Sequence, residues 1–383
     1  MSTVRGRLIA MEDGVARVHH EGGVAAIGVR AGTAAIGDLV VIEDGRLTVA
    51  VPARGTRDAG AAQRRTLDPR RVRAMEMRGR VESGIRDFFL ARGFREVRTP
   101  ALVPCPGMEP HIKPFQVVGG GWLQTSPEFA MKRLLAAGLE RIFQMAPVFR
   151  DEPDAPHHRR EFLMLEWYRA WAGMEEILVD TEELVATLAR GIFGETRVGG
   201  IDVTPPWPRL RVRDLFSEHV GVDLGRDDLR EACRRLGVAT AEDDGWDDLM
   251  QRLWLEKVEP RLPAGRAVFV VRYPASQAAL AVIDEDADGT RWARRFEVYA
   301  GGLELANAFE ELTDPVEQRR RFAADMALRA RVHGPAIPVV PMPEEFLAAL
   351  EDGMPPSGGI ALGVDRLALL FAGEDDIGWM SWG

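Results

Sequence analysis

The chain has 383 residues, 46% of them hydrophobic, and a formal net charge of −10. That length suits two domains or one large domain with insertions, and the acidic balance argues against nonspecific wrapping of nucleic acid. Cys105 and Cys233 alone make no disulfide framework or Cys-rich metal site, "MSTVRGRLIAMEDG" lacks an apolar signal core, and no 18-residue apolar run occurs; a soluble protein of a reducing cytoplasm, without a membrane span, is expected.

Residues 1–55 contain short apolar runs, "RGRLIAMEDGVARVHHEGGVAAIGV" and "IGDLVVIEDGRLTVAV", broken by Asp-Gly and Gly-Gly. Those are hairpin signals, and their close spacing predicts a small β-barrel, either a partner-binding module or a passive docking surface. Residues 56–69 are polar and turn-rich, and read as a linker. From Pro69 a helix is predicted, with Val72, Met75, Val81, Ile85, Phe88 and Phe89 at helical spacing and Gly93 at its end.

"FREVRTPALVP" reads as a strand stopped at Pro100. In "TSPEFAMKRLL", Thr125 or Ser126 can cap a helix, Pro127 suits its first turn, and Glu128 favours its positive end. "RIFQMAPVFR" and "EFLMLEWYRAW" are strands joined by a polar loop, and "MEEILVDTEELVATLARGIF" is an amphipathic helix. Residues 199–262, rich in acids and arginines, are expected to be a helical insertion. "AVFVVRYP", "RRFEVYAGGLELANAFEEL", an Arg-rich helix around 315–332 and "SGGIALGVDRLALLFAG" complete one domain over residues 70–383. The order favours an α+β fold on an antiparallel sheet.

Chemistry gathers at three places. Strand parity puts Phe162, Met164, Glu166 and Tyr168 on one face, a mixture suited to an organic cation beside a flat partner. A solvated face with structural ion pairs is the competing reading. Gly301-Gly302 predicts a two-residue turn in which Tyr299 opposes Glu304, with Glu297 diagonal on the same face. Two neighbouring carboxylates suggest Mg²⁺, or else pairing with Arg294, Arg295 or Arg319. Strict alternation throws Asn307, Phe309 and Glu311 onto the opposite face, unless a bulge lies near Ala306–Asn307. "SGGIALGVDRLALL" is a glycine-rich entry to a helix carrying Asp365 and Arg366, either a phosphate grip or tight packing on the sheet.

These clusters, in this order, resemble the core of class II aminoacyl-tRNA synthetases. "REVRTP", "FRDE…HHRREFLMLEWY" and "GGIALGVDRLALL" look like motifs 1, 2 and 3. "TSPEFAMKRLL", "YPASQAALA", "RFEVYAGGLELANAFEELTD" and "ALGVDRL" narrow the similarity to elongation factor P lysyltransferases, truncated paralogues of lysyl-tRNA synthetase without the anticodon-binding domain. The resemblance spans roughly residues 70–375 and implies a synthetase-like antiparallel sheet flanked by helices, preceded by the small barrel.

It also implies roles. Arg150 would contact the ATP α-phosphate and the substrate carboxylate, Glu152 the adenine amino group, and Phe162 the adenine face. His158 aligns with a histidine of the motif 2 loop, Arg366 would grip the far end of ATP, and Glu297 and Glu304 would hold Mg²⁺. Glu128 and Glu166 would receive the amino group near the reacting end. Tyr168 and Glu311 would bind the distal ammonium, with Asn307 and Phe309 shaping the pocket. Ala361, where lysyl-tRNA synthetases have glycine, is shared with the paralogues and goes with their preference for (R)-β-lysine. The implied substrates are ATP, lysine or (R)-β-lysine, and elongation factor P; tRNA is less favoured, and a homodimer through motif 1 is implied.

The physics is consistent with this. A lysine-like substrate needs carboxylates around its two ammonium groups, while ATP needs cations. Attack of a carboxylate on the α-phosphorus needs positioning and charge neutralisation rather than a general base. The chain departs from the family at Arg159 and Arg160, which replace Asn-Pro, in the barrel, and in the tail "DDIGWMSWG". A minimal lysyl-tRNA synthetase and a catalytically silent synthetase-like regulator are the alternative readings.

Overall fold

The computed structural model describes residues 3–20, 23–53, 68–334 and 338–382. They form two compact units, one of Met1–Gly79 with Asp376–Gly383, the other of Arg80–Asp375. The division falls inside a helix, and the divergent C-terminal tail belongs to the first unit. The expected linker at 56–69 lies outside the described residues up to residue 67; Asp68 then accepts a hydrogen bond from the Arg70 backbone N–H at the helix start.

The first unit carries five strands, β1 (Val4–Glu12), β2 (Val15–His20), β3 (Gly23–Gly28), β4 (Leu39–Glu43) and β5 (Arg46–Val51). They form one antiparallel sheet in the order β3-β2-β1-β4-β5, and the segment after β3 returns to β5, where Ala31 bridges Arg46 in parallel and the Leu47 N–H donates to Ala31 O at 2.9 Å, so the two ends of the order meet as the expected barrel requires. Asp13-Gly14 and Asp44-Gly45 make the two Asp-Gly turns with positive φ at both positions, as such hairpins require. The expected Gly-Gly turn involves Gly22, outside the described residues. Leu8, Ala16, Val18, Val40, Ile42 and Leu47 form the core. The tail is tied to the first turns of helix α1 (Pro69–Ala91): Arg71 donates to Gly378 O at 2.7 Å, and the Arg70 and Arg71 guanidiniums lie over the Trp379 ring.

In the second unit short strands β6 (Arg95–Glu96), β7 (Leu102–Val103) and β8 (Trp122–Leu123) precede helix α2 (Glu128–Ala136). Strands β9 (Arg141–Phe149) and β10 (Glu161–Ala170) then lead to helix α3 (Met174–Phe193). Strand β11 (Arg197–Val198) precedes the expected insertion, which opens with β12 (Ile201–Asp202) and β13 (Arg209–Arg211) and becomes helical only at α4 (Val212–His219), α5 (Leu229–Leu236) and α6 (Trp246–Leu253). Strands β14 (Val268–Pro274), β15 (Ile283–Glu285), β16 (Arg291–Ala300) and β17 (Leu303–Glu310), helices α7 (Pro315–His333) and α8 (Glu344–Asp352), strand β18 (Ser357–Gly363) and helix α9 (Val364–Ala372) follow.

The main sheet runs β13-β14-β16-β17-β18-β10-β9-β6, with β15 paired to β16. Its inner pairs are antiparallel and only the two edge pairs are parallel. One face is apolar: Leu165, Trp167, Phe296, Val298, Ile360 and Leu362 are buried on it. Helices α3 and α9 cover it, and Phe89 of α1 packs its ring 4.9 Å from Phe143 and 5.1 Å from Trp167. The other face is walled at both ends. At one, α2, α7 and α8 pack on Ile142 and Tyr168; at the other, the insertion helices pack on Val268, Val270, Tyr273 and Tyr299. The strip between is where the charged residues gather.

Candidate active site

Two backbone irregularities create that strip. Gly301 and Gly302, at φ 61° and 77°, form the expected two-residue turn, and Tyr299 faces Glu304. The register then slips: Val298 faces Ala306 and Glu297 faces Asn307, so Leu305 is an extra residue. The bulge sits slightly earlier than the sequence suggested. It brings Asn307, Phe309 and Glu311 onto the face of Glu297, as alternation alone would not. A second slip, between Val271 and Tyr273, sets two residues of β16, Arg294 and Arg295, opposite Arg272 alone, which has φ 61°. It turns Tyr273 to the same face, where its hydroxyl donates to Glu297 Oε2 at 2.6 Å. Nothing in the sequence marked that bulge.

Cross-strand neighbours now form rows. Glu166 pairs with Ala361, Ala361 with Asn307, and Asn307 with Glu297. In the next row Tyr168 pairs with Gly359, Gly359 with Phe309, and Phe309 with Arg295. Four strands, distant in sequence, thus present one continuous polar surface.

At the end of β9 and the start of β10, Arg150, Glu152, His158 and Phe162 come together. The Arg150 guanidinium lies 5.2 Å over the Phe162 ring, and its Nε is buried without a hydrogen-bond partner. His158 Nε2 is 3.3 Å from Glu152 Oε2, and its ring meets Phe162 edge-on. Partial burial pushes the His158 pKa down against the pull of Glu152. Arg366, in the first turn of α9, donates to Glu304 O at 2.8 Å and to His157 O at 3.2 Å, so motif 3 reaches both the bulged strand and the polar loop. Asp365 accepts from the Leu163 backbone at 3.2 Å, tying α9 to β10.

Glu297 is held by three donors: Arg295, and the hydroxyls of Tyr273 and Tyr299 at 2.6 and 2.8 Å. Burial and then Glu297 push the Glu304 carboxyl up, against Arg366. The described residues contain no cluster of three or more His, Cys, Asp or Glu able to hold a metal. Glu297 and Glu304 offer two hard oxygen donors in mutual repulsion. That fits Mg²⁺ completed by phosphate oxygens and water, not an all-protein cage.

The second cluster lies at the α2 end. Glu166, 1% exposed, accepts hydrogen bonds on both oxygens, from Ser126 at 2.5 Å and Tyr168 at 2.8 Å. Ser126 also accepts from the Glu128 backbone N–H and so links the helix to the sheet, although Pro127, expected in the first turn, holds the N-cap position itself. Burial, then Glu128, pushes the Glu166 carboxyl up to about 8. Glu311 lies beside Tyr168 over Gly359: a Cβ there would sit 2.3 Å from both Glu311 Oε1 and the Tyr168 ring. Gly359→Ala is therefore expected to cost about 1–3 kcal/mol through overpacking, read as a lower unfolding temperature together with weakened ligand binding. Wild-type stability and binding would show that the close approach does not exist.

The structure puts the expected strand residues on one face, with Glu128 reaching it from α2, Glu152 and His158 from the loop after β9 and Arg366 from the start of α9, but two residues with no assigned role stand among them. Lys132 bridges Glu128 and Glu311. Its i,i+4 spacing from Glu128 was a readable signal; the contact with Glu311 was not. Glu109 lies against Gly107 and Thr125, its Oε2 buried without a partner, and burial and then Glu128 push its carboxyl up. Arg295 realises the alternative of a carboxylate–arginine pair at Glu297.

The tRNA synthetases class II (D, K and N) family matches residues 62–381, which leaves β1–β5 outside it. Among curated proteins, the chain is similar to the elongation factor P–(R)-β-lysine ligase of Edwardsiella ictaluri, 41% identical over 307 residues, 76% of this chain and 89% of that protein. The proteins of the same name from Haemophilus influenzae (strain PittGG) and Klebsiella pneumoniae (strain 342) are each 38% identical, over 78% and 79% of this chain and 91% of their own lengths.

Proposed function

The chain belongs to the tRNA synthetases class II (D, K and N) family, and from that premise we propose that it is an ATP-dependent ligase that activates lysine or (R)-β-lysine as an adenylate and transfers it to a lysine side chain of elongation factor P. The observation that carries this is the charge layout of one sheet face. Buried carboxylates Glu128, Glu166 and Glu311 with Tyr168 lie at one end of the strip, and Arg150 and Arg366 at the other. A diammonium substrate and a polyphosphate meet there, each against its opposite charge.

Each side chain has a part in this reading. Phe162 stacks on the adenine, Glu152 accepts from its amino group, and His158, next to Glu152, borders it. Arg366 grips the terminal phosphates. Arg150, with its free Nε, holds the α-phosphate and the substrate carboxylate together. Glu128 and Glu166 take the amino group near the reacting end, and Glu311 and Tyr168 the distal ammonium. Asn307, Phe309 and Ala361 line the floor between. Glu297 and Glu304 would hold Mg²⁺, which supplies neutralisation of phosphate charge.

A carboxylate oxygen attacks the α-phosphorus, that bond forms as the bond to pyrophosphate breaks, and the adenylate results. The acceptor lysine nitrogen then attacks the acyl carbon, AMP departs, and the amine loses a proton. The first step needs fixed donors rather than a base. We place the enzyme in the cytoplasm as a homodimer through the segment around Pro100. No helix among the described residues is long and apolar enough to cross a membrane.

Pyrophosphate exchange with lysine or (R)-β-lysine tests the reading, followed by offering elongation factor P or tRNA. Exchange with either amino acid and labelling of elongation factor P is the expected result. No exchange with either would sink it, and charging of tRNA alone would remove the protein acceptor.

The reading also carries a pH dependence. Glu166 keeps its proton to about pH 8 in the empty pocket, but must be ionised to meet an ammonium. Binding therefore releases a proton at neutral pH. The KM for the amino acid is expected to fall as pH rises from 6 to 8, as Glu166 ionises to meet the amino group near the reacting end. A KM flat over that range would remove Glu166 from the pocket.

A further inference from the structure

A pocket that reads two ammonium groups already contains one. Lys132 Nζ lies 2.5 Å from Glu128 Oε1 and 2.5 Å from Glu311 Oε2, on a side chain only 1% exposed. It is 6.0 Å from the centroid of Tyr168 and 6.0 Å from that of Phe346, so it sits in the cation pocket itself. It engages one oxygen of Glu311. The other, Oε1, is buried, accepts no hydrogen bond, and faces Gly359 and the Tyr168 ring. That leaves an acceptor free for a second cation.

Charge counting gives this arrangement a purpose. Ionised, Glu128, Glu166 and Glu311 carry three negative charges, and Lys132 removes one. Two remain, equal to the two ammonium groups of a diamino acid, whose carboxylate is met separately by Arg150. Glu109 also borders Glu128 and has Arg329 beside it. We propose that Lys132 is a positioning residue for amino-acid activation: its ammonium ties Glu128 to Glu311, sets the charge of the pocket to that of a diammonium substrate, and stays in place when the substrate binds. The inference rests on the activation reading above.

Burial opposes the charge on Lys132, but Glu128 and Glu311 outweigh it and hold the pKa up at about 12. The group is thus an ammonium at any pH suited to assay. In its absence Glu311 would lose the cation that favours its ionised form.

Lys113, Lys132 and Lys257 are the only lysines in the sequence, so side-chain ¹⁵N-lysine NMR of the wild-type protein can follow Lys132 directly. Its signal is expected to be protected from exchange, and to shift without disappearing when unlabelled lysine or (R)-β-lysine is added. A signal unmoved by saturating amino acid overturns the proposal. In pyrophosphate exchange, Lys132→Met is expected to raise the KM for the amino acid at least tenfold, to move the pH profile of kcat/KM upward, and to leave the KM for ATP unchanged. A folded Lys132→Met with wild-type amino-acid KM and pH profile also overturns it. Should that variant not fold, the NMR experiment on the wild type decides. Absence of exchange in the wild type sinks the underlying activation reading instead.

Discussion

Glu311→Gln is expected to raise the KM for lysine or (R)-β-lysine by about 100-fold or more in pyrophosphate exchange, with little change in the KM for ATP. The Glu311 side chain is 1% exposed and its partner Lys132 is 2.5 Å away. Breaking a buried ion pair by removing one partner costs about 3–5 kcal/mol, because the other charge is left uncompensated. At about 1.4 kcal/mol per tenfold, that is two to three orders of magnitude. Glutamine keeps the shape, so the loss reports charge rather than packing. The substrate's distal ammonium would meet a neutral amide beside Lys132. Unchanged amino-acid KM in a folded variant would remove Glu311 from the pocket and, with it, the basis for choosing a diamino acid.

Arg150→Ala should lower kcat for adenylate formation about 10³-fold, the scale on which loss of a fixed donor to developing charge is felt. Arg252 and Arg266 also carry a buried Nε without a hydrogen-bond partner, but Arg150 is the one braced on Phe162 beside the polar strip. Its Nε is buried with no acceptor, and its guanidinium is braced over Phe162 at 5.2 Å. A donor held ready without a partner is arranged for a ligand. Arg150→Lys should not rescue it, since a point charge cannot span two acceptors. The measurement is single-turnover formation of the adenylate at saturating ATP. A variant that keeps more than a tenth of the wild-type rate would place the essential neutralising charge elsewhere, with Arg366 the next candidate.

These two expectations draw on different layers of information. Arg150 could be found from the sequence because its surroundings are local: "FRDE" ends one strand, and Phe162 begins the next. Alternation in β10 likewise separates Phe162, Met164, Glu166 and Tyr168 from Leu163, Leu165 and Trp167 without knowledge of any neighbour. The glycine pair at 301–302 set the local register for the same reason, because a two-residue turn leaves no freedom in which residues face each other. The insertion was read less well. Its helices are short and begin only at Val212, after small strands that two- and three-residue runs do not announce.

What the sequence determined by itself was the set of chemical groups, their order, and the face each takes within its own strand, because side-chain direction along a regular strand is a local property. What only the tertiary structure decided was which of them meet. The extra residue at Leu305 and the slip beside Arg272 choose the faces of Asn307, Phe309, Glu311 and Tyr273, yet such irregularities leave no mark in composition. The close approach of Glu311 and Tyr168 depends on the missing side chain of Gly359, on a third strand. The neutralisation of Glu311 by Lys132 joins α2 to the far end of β17, and a buried charge can be balanced only by whatever packing places within reach.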